Sequence, residues 1–371
     1  MTLSFAVTAR DGAARTGVMR TARGDVQTPC FMPVGTRGAV RHLSSADLED
    51  LGAQVVLANT YHLMLKPGVD VIAQQGGLHR FQDWSGHLLT DSGGFQIFSL
   101  ESGGNVQVDD DGVTFRSTYD GSSHRLTPSS AVAIQTAFGS DIQMVLDVCA
   151  PLPSPEGVLR QALERTTQWA ARARGAFLAQ GRSELSQFGI VQGGTDINLR
   201  VESAERTVAI GFDGYAVGGL SVGESRSEML RTLAAVLPTL PEDQPRYLMG
   251  LGDPVGIVEA VALGIDLFDC VLPTRFARHG TILSGAGRFN LRRAENASED
   301  APLDASCGCP VCARWSRSYL RHLLVVDEPT APRLLTIHNL WWTLQLVQEV
   351  RAAIATGTLG AVRSRIAAVY G

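Results

Sequence analysis

Lysine is all but missing: Lys66 is the one lysine among 32 basic residues. The arginines that replace it suit bidentate contact with phosphate, although genome base composition accounts for the same bias. Acidic residues are in excess, with a formal net charge of -5 and a pI near 5.9. That balance argues against a sequence-independent nucleic-acid coat and leaves room for a local basic patch. No run reaches the roughly 18 apolar residues of a membrane span, and residues 2–15 mix polar and small side chains where a secretory signal would place an apolar core. A soluble cytoplasmic protein with no membrane partner is expected. Six cysteines in 371 residues are too few for a disulfide framework. A dinucleotide fingerprint is missing as well: Ala58-Asn-Thr-Tyr61 follows the first buried run without the G-x-G-x-x-G that a Rossmann fold would want there. There is no His-x-His at a strand end either, so a barrel hydrolase with metal in its mouth is excluded.

What is present is a regular alternation. Residues 3–40 alternate in polarity around Asp11-Gly12 and Arg23-Gly24-Asp25, which predicts hairpins that precede the main fold. A helix start at Ser44-Ser-Ala-Asp-Leu-Glu-Asp50 and a buried strand over 53–58 follow. His87-Leu-Leu-Thr90 leads into Asp91, and residues 106–117, with Asp109-Asp-Asp-Gly112 in the middle, read as an inserted hairpin. Beyond them helices are predicted over 129–138, 155–179, 198–210, 225–237 and 255–263. Strands are predicted at 142–146, 188–191, 215–217, 247–248 and around Leu267 and Phe268. Short strands, apolar on both faces and separated by helices, imply a parallel sheet. About seven visible repeats favour a closed (β/α)8 TIM barrel of the α/β class over an open doubly wound sheet. The eighth strand has no clear place. The expected organisation is a barrel with N-terminal hairpins over 1–280, a zinc-binding subdomain over 281–345, and a C-terminal helix over 346–371 packed on the barrel.

A closed barrel would gather its strand ends on one concave face, and those ends carry Asp91, Asp147, Gln192, Gly218, Gly219, Met249 and Asp269. Asp147 and Gln192 are the kind of pair that reads the edge of a planar heterocycle, since a carboxylate accepts and an amide both donates and accepts. Helix capping is the plainer use of such residues. The adjacent Gly193-Gly194 and Gly218-Gly219 suggest instead a backbone in close approach to a flat ligand. In Gly264-Ile-Asp-Leu-Phe-Asp-Cys-Val-Leu-Pro-Thr-Arg275 a buried run delivers Asp269 at its end, with Arg275 and Arg278 just beyond. A carboxylate beside two cations fits a nucleophile near a polyanionic substrate, and a turn-capping Asp is the alternative.

Three cysteines crowd at Cys307, Cys309 and Cys312, while Cys30, Cys149 and Cys270 are scattered, and His338 follows after 25 residues. Three thiolates and an imidazole make a closed four-ligand set, which predicts a structural zinc, with His322 as a rival fourth ligand. The same segment holds Arg288, Arg292, Arg293, Arg314, Arg317 and Arg321 among Phe289, Trp315 and Tyr319, a candidate nucleic-acid surface that solvated helix faces would equally resemble.

With Asp91-Ser-Gly-Gly-Phe-Gln96, Gly189-Ile-Val-Gln-Gly-Gly194, Gly214-Tyr-Ala-Val-Gly-Gly-Leu220, Phe268-Asp-Cys-Val-Leu-Pro-Thr-Arg275 and the Cys/His set in hand, the chain closely resembles the bacterial-type tRNA-guanine transglycosylase (queuine tRNA-ribosyltransferase) family. The resemblance runs from Thr28-Pro-Cys-Phe-Met-Pro33 to His338. It implies an irregular (β/α)8 barrel with a late zinc-bearing insertion, and a homodimer with one structural Zn2+ per subunit. The implied reaction exchanges the wobble guanine of tRNAs with GUN anticodons (Asp, Asn, His, Tyr) for the 7-deazaguanine preQ1, in queuosine biosynthesis. By this resemblance Asp269 is the nucleophile and Asp91 the general acid/base. Asp147, Gln192, Gly218, Gly219 and Leu220 contact the base, Phe95 and Met249 sandwich it, and Arg275 and Arg278 hold the anticodon loop. Two positions depart from the family pattern: Val148 stands where many members carry Glu, with Glu224 as its neighbour in that role, and His279 where Asn is usual. The first opens queuine use as an alternative. A non-catalytic RNA-binding partner subunit would be expected to lack one of the two carboxylates kept here.

Overall fold

The computed structural model describes residues 3–99 and 106–371. The chain opens on three antiparallel strands, β1 (Ser4–Asp11), β2 (Ala14–Thr21) and β3 (Gly24–Thr28), which turn at the two glycine-bearing sites expected from sequence. Next come β4 (Cys30–Gly35), β5 (Val55–Ala58) and β6 (His87–Thr90). An inserted antiparallel sheet follows, formed by β7 (Val106–Val108), β8 (Val113–Arg116) and β9 (Ser123–Leu126). Then come β10 (Ile142–Met144), β11 (Ser186–Val191), β12 (Gly214–Val217), β13 (Arg246–Leu248) and β14 (Leu267–Cys270).

Eight parallel strands close in the order β10-β11-β12-β13-β14-β4-β5-β6, so the α/β barrel expected from the alternation is present. Their burial has one cause. Strands ringed by helices outside and by one another's side chains inside must be apolar on both faces, and Val55–Ala58 is buried at every position.

The missing eighth strand is β4, the first in the chain. It lies inside the stretch read as hairpins, yet it pairs in parallel with β14, Asp269 opposite Met32 and Cys270 opposite Pro33. Two features hid it. No helix separates it from β3, and Pro33 within it withholds an N–H group that a central strand normally donates. The inserted sheet holds the expected hairpin plus a third strand, Ser123–Leu126, whose single buried residue gave no apolar signal. Phe115, Val113 and Leu126 pack there with Tyr61 and Trp169.

At the opposite end of the barrel, Arg15 grips Asp266 through two bonds of 2.9 and 2.5 Å, both side chains fully buried. Asp266 also accepts from the Arg246 amide at 2.7 Å, so β2 is tied to the starts of β13 and β14.

After the barrel come β15 (Thr281–Ile282) and β16 (Phe289–Asn290), an antiparallel pair, then helices Arg317–Val325, Thr330–Thr356 and Leu359–Tyr370. Residue 345, where a subdomain boundary was expected, falls within the continuous helix Thr330–Thr356. Its Asn339 donates to the carbonyls of Pro273 (3.1 Å) and Thr281 (3.0 Å) and accepts from the Leu283 amide (3.0 Å). One amide thereby fixes the late segment to the helix Leu272–Arg278 that follows β14. Tyr370 donates to the Ser284 carbonyl at 2.6 Å and accepts from its amide at 3.0 Å, which brings the C-terminal helix back onto the same segment. Among the described residues no helix is long and apolar enough to cross a membrane.

Candidate active site

Parallel barrel strands expose their last carbonyls and following loops at one end, where ligands bind. There a cavity of about 420 Å³ opens, within the range of small-molecule sites. Of the candidates read from sequence, Asp91, Phe95, Asp147, Gln192, Gly218, Gly219, Leu220, Met249, Asp269 and Arg275 all line it. Arg278 is not in the lining; it sits half-buried with its guanidinium 3.4 Å from the Thr274 hydroxyl.

Asp91 leaves the end of β6 into a cradle of donors. Its Oδ2 accepts from Asn59 Nδ2 at 2.5 Å, and its Oδ1 from the amides of Thr60 (2.9 Å) and Gly93 (3.0 Å). Asn59 is also the N-cap of the short helix Thr60–Leu63, accepting from His62 N at 3.1 Å, which aims its amide nitrogen at the carboxylate. Burial is the largest influence on Asp91 and pushes it up to about 7. Nearby Asp269 and Asp147 add to the rise, while the two backbone donors oppose it.

Asp147, beyond β10, is raised by burial to about 6, with the Gln192 donor pulling the other way. That bond, Gln192 Nε2 to Asp147 Oδ2, is 2.7 Å, and the Gln192 backbone N–H donates to Ser203 Oγ at 3.0 Å. Asp269, at the end of β14, accepts from the Tyr247 hydroxyl (2.5 Å) and the Gly250 amide (2.8 Å). Burial raises it too, against these two donors.

The glycines make room for the side chains and backbone around them. A Cβ on Gly219, where φ is +62°, would lie 2.4 Å from Gln192 Oε1, and one on Gly218 would lie 2.8 Å from Gln192 Nε2. On Gly193 it would meet the Arg200 amide at 2.9 Å, and on Gly194 the Leu159 side chain at 2.8 Å. These positions are small so that Gln192 and its loop can be seated.

Sequence reading missed the residue that seats them. Arg200, fully buried, donates to the carbonyls of Gly194 (2.6 Å), Val191 (2.8 Å), Gly218 (2.7 Å) and Gly219 (3.1 Å). It ties the ends of β11 and β12 into one wall. Asn59 and Tyr247 were missed likewise. Arg200→Met keeps the apolar stem and orphans these carbonyls, so it is expected to cost about 3 kcal/mol or more. A urea unfolding midpoint within error of wild type would show that these bonds carry no such weight.

The cavity walls are apolar where a ring would stack: Phe95 is 49% exposed and Met249 half-buried. The amide of Val148, the departure noted in sequence, bonds to Thr166 Oγ1 at 2.9 Å. Glu224 accepts from the amides of Ser221 and Val222, bracing the loop that follows Leu220.

Cys307, Cys309, Cys312 and His338 offer ligand atoms within 4.8 Å of one another, and they are the metal-ligating cluster found among the described residues. The three sulfurs lie 3.7, 3.5 and 3.3 Å from His338 Nδ1. Tetrahedral bonds of ~2.3 Å to sulfur and ~2.05 Å to nitrogen give a sulfur–nitrogen edge of about 3.6 Å, so this donor set fits a bound metal ion. His338 Nε2 lies 2.8 Å from the Leu283 carbonyl, which leaves Nδ1 as the ligating nitrogen. His338 lies well inside the long helix rather than at its start, and exposed His322 is outside the cluster, so it is not the fourth ligand. Of the arginines in this segment, Arg317 is spent on the carbonyls of Pro302 and Leu303 and Arg321 on those of Arg292 and Arg293. Arg314 stacks over Trp315 at 5.2 Å.

A family model described as queuine tRNA-ribosyltransferase matches residues 11–371. Curated relatives bearing that name agree closely. One from Solidesulfovibrio magneticus is 49% identical over 99% of this chain and 98% of its own length. One from Oleidesulfovibrio alaskensis is 50% identical over 99% and 96%, and one from Desulforudis audaxviator is 51% identical over 92% and 91%.

Proposed function

The chain belongs to the queuine tRNA-ribosyltransferase family and is a tRNA-guanine transglycosylase, and from that premise we propose how its residues divide the reaction. The observation that carries the reading is the meeting of Asp91, Asp147, Gln192 and Asp269 around one cavity. Asp269 attacks C1′ of the target nucleotide and forms an ester as the bond to guanine N9 breaks. The bonding pair leaves on guanine, and Asp91 supplies the proton it needs. The incoming base then gives a proton to Asp91, attacks C1′ from the opposite face and expels the Asp269 carboxylate. Two displacements retain configuration. Asp147 and Gln192 read the edge of the base, with backbone contacts from Gly218, Gly219 and Leu220, and Phe95 and Met249 take its two faces. The target must be splayed from its stack to enter, and Arg275 and Arg278 hold the loop it leaves.

The base is preQ1 and the substrates are tRNAs with GUN anticodons in this reading, with the protein acting as a cytoplasmic homodimer in queuosine biosynthesis. Zn2+ is the ion for the three thiolates and one imidazole, because a closed thiolate-rich set selects it and keeps no open position. It supplies structural cross-linking rather than chemistry. Barrel over 1–280, metal-bearing segment over 281–345 and C-terminal segment over 346–371 is the corresponding division of labour. Val148 supports a second reading, in which queuine is the incoming base. The presence of both Asp91 and Asp269 in the cavity speaks against a non-catalytic subunit.

Labelled guanine incorporated into an unmodified GUN-anticodon tRNA, then chased, tests this. Release by preQ1 is expected; release by queuine alone would move the enzyme to base salvage, and no incorporation would overturn the reading. The proton inventory adds a pH prediction. Asp91 must be protonated to discharge guanine, and it titrates at about 7. Adduct formation should therefore fall toward tenfold per pH unit above that value, while Asp269, which must be ionised, sets the acid side. A single-turnover rate that is flat from neutral pH to pH 9 would remove Asp91 from the acid role.

A further inference from the structure

Asp269 is the end of a β-strand, and a carboxylate there has two oxygens and a free torsion. The structure restricts both. The Tyr247 hydroxyl at 2.5 Å and the Gly250 amide at 2.8 Å land on the same oxygen, Oδ1. Tyr247 is fully buried on β13, the neighbour of β14 in the barrel, so its backbone is fixed by strand pairing and its ring by the packing around it. A hydroxyl fixed to the scaffold is therefore aimed at one oxygen of the group that does the chemistry.

We infer that Tyr247 is a positioning residue for the reaction: by pinning Oδ1 it orients Asp269 so that Oδ2 is the oxygen that attacks C1′. The inference rests on the reading of Asp269 as nucleophile. Tyr247 has a second consequence through charge. A donor to the carboxylate favours its ionised form, and burial favours the protonated form, so the hydroxyl offsets part of what the dry cavity costs the nucleophile. The groups that share this environment are Asp91 and Asp147 from the ends of β6 and β10, Cys149 just beyond Asp147, Cys270 next on β14, Arg275 from the following helix, and His62. Asp269 raises Asp91 through charge, and that repulsion is mutual, so Asp91 opposes ionisation of Asp269. None of these groups is hydrogen-bonded to Asp269 among the described residues, which leaves Tyr247 as the side chain that donates to it directly. In the departure step the same bond stabilises the carboxylate as it is expelled from C1′. Tyr247 exchanges no proton, and its own hydroxyl is held far above the ordinary tyrosine range by burial and by Asp269.

The test is Tyr247→Phe, assayed as the single-turnover rate of enzyme–tRNA adduct formation across pH, with the tRNA dissociation constant measured separately. Loss of one bond to a charged group predicts a rate about tenfold to a hundredfold lower at pH 7. The acid limb should move up by about one pH unit, and tRNA affinity should stay within twofold. Replacement of Tyr247 by 4-aminophenylalanine retains a donor at the same place and is expected to restore the limb to within a few tenths of a unit. A Phe variant with wild-type rate and limb, or a slow one whose limb does not move, would overturn the inference, as would a displaced limb in the aminophenylalanine enzyme. Asp269→Asn run in parallel separates the two claims. An adduct formed by that variant defeats the nucleophile reading itself, whereas its absence beside an unaffected Tyr247→Phe defeats the role of Tyr247 alone.

Discussion

Asp269→Asn is expected to bind tRNA within about threefold of wild type and to form no adduct that survives denaturation. Removal of a covalent nucleophile costs on the order of 10⁴-fold or more in turnover. The variant should nonetheless fold, for a reason visible in the site. Both protein donors to this carboxylate meet Oδ1, so an asparagine that presents its carbonyl oxygen there keeps both. The variant also sheds a buried charge. Burial raises the folded-state pKa of Asp269 above its unfolded value, so its contribution to stability is greatest below about pH 3.9 and declines as pH rises toward the folded pKa. The thermal midpoint of Asp269→Asn should therefore equal or exceed that of wild type at pH 8, and the advantage should shrink toward pH 4. A variant that melts lower at pH 8 would show that the charged form is stabilised in the fold, contrary to this account.

The second large effect is loss of metal. Cys309→Ser removes the fully buried thiolate of the set, and structural zinc binding is worth about 10 kcal/mol or more at neutral pH where the fold depends on it. The damage should spread by a traceable route. His338 lies beside Asn339, whose amide holds Pro273 and Thr281. Pro273 lies in the first turn of the helix Leu272–Arg278 that carries Arg275 and Arg278, and Thr281 follows its end. Stoichiometric zinc should disappear, the thermal midpoint should drop by about 10 °C or more, and tRNA affinity should weaken by about tenfold. A metal-free Cys309→Ser protein with wild-type melting and tRNA binding would refute a structural role.

The parts of the molecule legible in the sequence share one property, that their signal is local. Buried strands between helices announce themselves as apolar runs, and Asp91, Asp147 and Asp269 stand out because each follows such a run. Cys307, Cys309 and Cys312 are dense enough to identify themselves. What escaped depends on partners far away in the chain. Strand β4 lacks a preceding helix and carries a proline, so nothing near it marks a parallel partner of β14. Arg200 sits in a helix, Ile197–Ile210, where an arginine ordinarily faces solvent; only the carbonyls converging from β11 and β12 make it a core residue. Tyr247 looks like any aromatic in a strand, and Asn59 like a helix cap, which it also is. His322 was a plausible ligand on spacing alone, and three-dimensional placement removed it. The glycines were legible as constrained positions, but the object they make room for, Gln192, became visible only once the strands were closed.

Mapping the covalent adduct tests most directly whether Asp269 forms the bond to ribose. Enzyme trapped with tRNA would be digested with ribonuclease and protease, and the modified peptide fragmented in a mass spectrometer. The account predicts a ribosyl ester on Asp269, within the peptide that runs from β14 into the helix bearing Arg275. An ester on Asp91 or Asp147, or a trapped complex with no covalent link, would contradict it.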